Sequence, residues 1–158
     1  MEGFFSQLNN IIISVYEKIG KVETQMNEYT DLNLTINEIH ILEKIGENHG
    51  INIRDLALCL GVTTATVTVA IQKLQKKGYV LKEKSRSDLR GVILSLTPDG
   101  TRVVRSHNIF HIRMVRSMTS GLTNEEKNAL YESLKKLNGH LSDFLEKESN
   151  EKVRGISI

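Results

Sequence analysis

Between Thr63 and Arg90 the chain gathers the residue types that recognise duplex nucleic acid. In the segment from Ile53 to Leu74 (IRDLALCLGVTTATVTVAIQKL), Val67, Ile71 and Leu74 recur at helical spacing. Burying that stripe turns Thr64, Thr66, Thr68, Gln72, Lys73 and Lys76 outward. Short hydroxyls near the N-terminal end of a helix, with longer donors behind, suit base edges and phosphates in a major groove. Small Ala57, where two helices must approach closely, and Gly61 in the turn make the segment a helix-turn-helix. The polar stretch that follows, Tyr79 to Leu96, reads as a hairpin: Tyr79, Val80 and Leu81 open it, Ser85 to Gly91 form its tip, and Val92 to Leu96 close it. A solvated helix face beside a turn would account for the threonines alone, but not for a charged hairpin placed directly after them.

Charge sharpens this reading. Residues 73 to 90 hold seven basic residues (Lys73, Lys76, Lys77, Lys82, Lys84, Arg86 and Arg90) against Glu83 and Asp88, a local charge of +5. The whole chain carries only +2, so the remainder sums to 2 − 5 = −3. A concentrated basic patch on a nearly neutral chain is an electrostatic footprint for phosphate.

A second chemistry is written in histidines. His107 and His111 lie four apart, on one face of a helix beginning at Thr97, and His40 sits on a helix opened by Thr35. Two imidazoles at that spacing can share a zinc ion with a third ligand from another helix. Histidines held by hydrogen bonds in a core are the alternative. Enzyme motifs are lacking: there is no Gly-x-Ser-x-Gly elbow, phosphate-cradling glycine loop, His-Glu-x-x-His helix or evident catalytic carboxylate pair. The lone Cys59 requires no oxidising compartment and reads as a small buried hydrophobe. The start, MEGFFSQLNN, lacks a basic leader, and no apolar run approaches the ~20 residues of a membrane span, so a cytoplasmic protein is expected.

The elements that must position these groups are mostly helical. Phe4, Leu8, Ile11, Val15, Ile19, Val22 and Met26 step by fours and threes, predicting a long amphipathic helix over 3–27. Thr35-Ile-Asn-Glu38 is a capping box for a helix to about Glu47, and Asn52 can cap the next. Thr97-Pro98-Asp99 starts a helix that runs to about Ser120, where Gly121 stops it. Thr123-Asn-Glu-Glu126 is a second capping box, launching a stripe of Leu130, Leu134, Leu137, Leu141 and Leu145. The tail from Ser149 reads as polar and frayed. Counting glycine with the 39% hydrophobic residues gives about 46%, enough for a core in one domain. The first and last stripes exceed what a winged module can cover, so a homodimer is expected.

The run Asp88-Leu-Arg90-Gly-Val-Ile-Leu-Ser-Leu-Thr-Pro-Asp-Gly100, preceded by Leu74-Gln-Lys-Lys-Gly-Tyr-Val80, resembles the wing signature of the multiple-antibiotic-resistance regulator (MarR) family over roughly residues 3 to 147. The resemblance implies a mainly α fold with a small β-wing, a winged helix-turn-helix with long N- and C-terminal dimerisation helices. Residues 1–34 would form the first dimerisation helix, 35–97 the DNA-binding region and 98–158 the C-terminal dimerisation helices, all in one intertwined domain. It implies a transcriptional regulator, usually a repressor, reading a pseudo-palindromic operator in double-stranded DNA. Thr63, Thr64, Thr66 and Thr68 would meet the major groove, and Arg90, oriented by Asp88, would enter the minor groove. Gln72, Lys73, Lys82, Lys84 and Arg86 complete the expected contact set. Family members that sense oxidants carry a reactive cysteine in the N-terminal helix, and none stands there.

Two branches compete for the effector. His107-x-x-Phe110-His111-x-x-Met114-Val115 resembles the helix of the branch repressing fatty-acid synthesis genes, which implies a long acyl chain on acyl carrier protein as corepressor. Phe4, Phe5, Ile12, Phe110 and Met114 would line its pocket. Glu38-Ile-His40 with His107 and His111 is similar to the zinc-sensing branch, which controls metal-uptake genes and implies Glu23 as fourth ligand. That branch's second metal site looks absent, because Ser106 stands where it carries an acid. Another small ligand is the third option, and a dimer that does not touch DNA is a separate one.

Overall fold

A computed structural model describes residues 1–28, 32–84 and 92–155. The element order is α1 (Glu2–Glu28), α2 (Ile36–Glu47), α3 (Ile53–Leu60), α4 (Thr64–Lys76), β1 (Val80–Lys84), β2 (Val92–Leu96), α5 (Pro98–Met118) and α6 (Asn124–Gly155). Two compact units divide the chain, Met1–Ile109 and Phe110–Ile158. The fold is mainly helical with one small antiparallel sheet, as expected for a winged helix.

Helix starts follow the capping chemistry in the sequence. The Thr35 hydroxyl accepts from the Glu38 amide, and the Glu38 carboxylate accepts from the Thr35 amide at 2.8 Å. Asn52 caps α3 through the Asp55 amide, and Thr123 with Glu126 repeats the reciprocal box at α6. Gly61 ends α3 with φ +65°, the left-handed conformation that a side chain would strain.

The core of the first unit gathers Ile39, Leu42, Ile45, Leu56, Ala57, Val67, Ile71, Leu74, Val80, Leu94 and Val103. The periodic stripe of α4 is therefore buried as read, and Ala57 is the close-approach position in α3. Strands β1 and β2 pair with Val80 opposite Leu96 and Lys84 opposite Val92. The Leu94 amide also donates to the Ile51 carbonyl at 2.8 Å, tying β2 to the segment ahead of α3.

Helix α5 starts directly above the end of α4. Thr97 donates its amide to the Tyr79 carbonyl and its hydroxyl to the Gly78 carbonyl, and the same hydroxyl accepts from the Gly100 amide. Gly100 sits so close that any Cβ there would collide with the Tyr79 carbonyl.

Three local expectations change. Cys59 is exposed rather than buried, because Leu56 and Ala57 take the inward face of a helix only two turns long. Helix α5 ends at Met118, where Thr119 and Ser120 turn their hydroxyls back onto the Val115 and Ser117 carbonyls. The tail from Ser149 does not fray at once; α6 runs on to Gly155.

Candidate nucleic-acid interface

Helix α4 is held by its buried stripe, and the opposite face follows from a turn of about 100° per residue. Ala65, Val69, Gln72 and Lys76 lie farthest from the core, with Lys73 beside them, and all five are exposed. Val69 is 52% exposed, a β-branched apolar residue where a solvated face would carry a polar one. The outward set read from the sequence omitted Ala65 and Val69, although the same helical spacing contained them.

The threonine hydroxyls are largely engaged by the helix itself. Thr63 caps α4, its oxygen accepting from the Thr66 amide at 3.2 Å and lying 2.9 Å from the Thr66 hydroxyl. Thr68 donates to the Thr64 carbonyl at 2.7 Å and is half-buried rather than fully outward. What Thr66 and Thr68 turn outward is therefore less hydroxyl than the sequence pattern suggests.

The basic patch is also redistributed. Lys73, Lys76, Lys82 and Lys84 are exposed, and Lys82 and Lys84 share one face of β1. Lys77 is not available to phosphate, because its ammonium reaches both Glu38 carboxylate oxygens at 2.9 Å and the Asn33 carbonyl at 2.6 Å. Glu38 is buried, at 8% exposure. Burial by itself would raise its carboxyl pKa, but the Lys77 bond and the Thr35 amide together outweigh that and hold it below the ordinary value. A bridge thus locks the C-terminal end of α4 to the start of α2. Arg86, Asp88 and Arg90 lie outside the described residues.

The histidines are partly gathered. His107 is buried, its Nδ1 2.7 Å from Glu43 Oε1, and the His40 ring stands edge-on to it at 5.7 Å between centroids. Glu23 and His107 bring possible ligand atoms within 4.8 Å of one another, and His111 follows one turn later on α5. His40 is not in that converging group among the described residues. Sequence reading missed Glu43; it lies 64 positions from its partner, so only the fold reveals the pair. Phe4, Phe5 and Ile12 are exposed on α1, while Phe110 and Met114 are half-buried on α5. A cleft of about 400 Å³ in the first unit is lined by Glu43, Gly46, His49, Leu94, Leu96 and Val104 among others, and none of Phe4, Phe5 and Ile12 belongs to it.

Comparison with known proteins supplies the family. The MarR family model matches residues 34–92, from before α2 into β2. A MarR protein from Peptoclostridium difficile is 30% identical, with 84% of this chain and 88% of that one covered and a TM-score of 0.66. The chain belongs to the MarR family. FabT of Streptococcus pneumoniae, solved in complex with DNA, is 28% identical over 89% of this chain and 99% of its own, with a TM-score of 0.82. The transcriptional repressor MprA of Escherichia coli K12 is 26% identical over 142 residues, 87% of this chain and 78% of its own. MarR family proteins are winged-helix transcriptional regulators that bind DNA as dimers, not enzymes. Among the described residues no single helix is long and apolar enough to cross a membrane.

Proposed function

We propose that this MarR-family chain is a cytoplasmic, homodimeric repressor of fatty-acid biosynthesis genes whose operator binding responds to a long-chain acyl group on acyl carrier protein. The observation carrying this reading is the likeness to the fatty-acid repressor FabT along nearly the whole of both chains. The His107-x-x-Phe110-His111-x-x-Met114-Val115 pattern on α5 agrees with it. Thr63, Thr64, Thr66, Thr68, Gln72 and Lys73 would face the major groove. Lys82, Lys84, Arg86, Asp88 and Arg90 would serve the wing. Residues 1–34 and 98–158 would pair two copies around the reading regions at 35–97. The apolar side chains an acyl chain needs are carried on α1 by Phe4, Phe5 and Ile12 and on α5 by Phe110 and Met114.

The test is a mobility-shift titration on an operator fragment selected from genomic DNA. Acylated carrier protein should tighten binding by roughly 1–3 kcal/mol, the usual scale of coupling between two sites. Zinc and a chelator should change nothing. Tightening by stoichiometric zinc with no response to the acylated carrier would overturn the lipid reading.

The approach of Glu23 to His107, with His111 one turn on, favours zinc as the second reading. A carboxylate and two imidazoles fit that ion, and the Glu43 contact would fix the His107 ring as carboxylates commonly do beside metal-bound histidines. Under this reading Glu23, His107 and His111, with His40 adjacent, would bind a regulatory ion whose removal lowers operator affinity.

A further inference from the structure

We infer that the outer face of α4 selects DNA by the C5-methyl groups of clustered thymines, with Val69 as the determining residue. The inference rests on the reading of α4 as the helix that enters the major groove, and it names what that helix reads. Three observations carry it. The Thr68 hydroxyl proton is committed to the Thr64 carbonyl, and the Thr63 and Thr66 hydroxyls share a hydrogen bond at the cap, so much of what Thr66 and Thr68 present is methyl rather than free hydroxyl. Ala65 and the half-exposed Val69 stand at the centre of the outward face, adding more methyls where water gains nothing from them. Lys73 and Lys76 flank this apolar centre on the helix itself, and Lys82 and Lys84 add exposed cations on the strand that follows, so the partner that covers it is a polyanion whose interior displays apolar groups. Duplex DNA with thymines in the major groove has that character, since the thymine methyl is the one apolar group displayed there.

Gln72 extends the argument. It lies one turn beyond Val69 on the same face, and a glutamine amide matches the N6 and N7 pair of adenine. The helix therefore reads thymine methyls with its N-terminal half and an adenine edge behind them. Half-sites should be A·T-rich because their methyls are bound, not only because such DNA bends or narrows easily.

The experiment separates this claim from DNA binding as such. A randomised duplex pool is selected with the full-length protein, and the preferred operator is synthesised twice, once with thymidine and once with deoxyuridine at every thymidine position. Each methyl withdrawn from an apolar contact should weaken binding about fourfold, so the deoxyuridine operator should bind on the order of tenfold or more weakly. Val69→Ala should remove most of the difference between the two duplexes. Lys76→Ala should weaken both equally. Val69 is exposed, and alanine is the better helix former, so the variant should fold with unchanged or slightly raised stability. Equal affinity of the unaltered protein for both duplexes overturns the methyl reading while DNA binding stands. An unchanged thymine preference in Val69→Ala overturns the role of Val69. A pool yielding no preferred sequence overturns this inference together with the operator reading beneath it.

Discussion

The winged-helix core and the long terminal helices show the same apolar periodicity and opposite outcomes. Leu42, Leu56, Ile71, Leu74 and Leu94 are fully buried within one chain, whereas Leu134, Leu137, Leu141 and Leu145 on α6 and Phe4, Ile11 and Ile12 on α1 stand about half exposed or more. The first set finds its complement among neighbouring elements of a single module. The second set leaves apolar faces on each of these long helices open to water, and the proposed pairing of two copies would cover them. A stripe in sequence thus announces burial without saying against what.

Leu141→Asp should break the comparison most strongly. In a two-fold assembly it places two carboxylates in an apolar interface, with a cost on the order of 5 kcal/mol per dimer. Sedimentation at micromolar concentration should change from dimer to monomer, with the far-ultraviolet spectrum of the winged module retained. A parent chain that already sediments as a stable monomer would remove the contrast altogether.

Lys77→Met should act on the other side of the comparison, loosening the self-contained module while leaving the dimer intact. It strands the buried Glu38 carboxylate and should cost about 2 kcal/mol near neutral pH. The Glu38 carboxyl is held below its ordinary pKa in the folded state, so its contribution is complete above the unfolded value near 4.3 and disappears as pH falls through the folded value. Urea titrations should show a constant gap between parent and variant at neutral pH that closes in acid. A gap that widens in acid would contradict the bridge.

Lys82→Ala and Lys84→Ala should have the smallest effects, touching neither core nor dimer. Each should lower affinity for all DNA sequences alike and reduce the log–log salt slope by about 0.9, with stability unchanged within ~0.5 kcal/mol. A sequence-dependent loss would place these lysines at base edges rather than phosphates.

Local chemistry was legible in the sequence wherever it acts over three or four residues. Both capping boxes, the Asn52 cap and the stripe of Val67, Ile71 and Leu74 are short-range and appear as read. The candidate interface was legible as a region but not in its details. Whether a threonine hydroxyl faces outward depends on competition from the helix backbone and cap, which composition does not show. Lys77 counts as a free cation until α2 brings Glu38 across 39 positions, and the Glu43 contact with His107 spans 64. Cys59 was misplaced because a helix of two turns has too few positions to define its buried face by periodicity.

The corner where Thr97 caps α5 over Gly78 and Tyr79 is built as a welded joint rather than a hinge. Two hydrogen bonds cross it, and Gly100 closes the remaining space to less than a methyl group. A roll of the first turns of α5 about their axis must therefore carry the trailing end of the reading helix with it. In the proposed two-fold assembly such a roll would alter the separation of the two α4 helices against the fixed pitch of DNA, so a corepressor could tighten the grip on the operator without approaching a single residue that touches it. Gly100→Ala would pry the joint open, uncoupling grip from command.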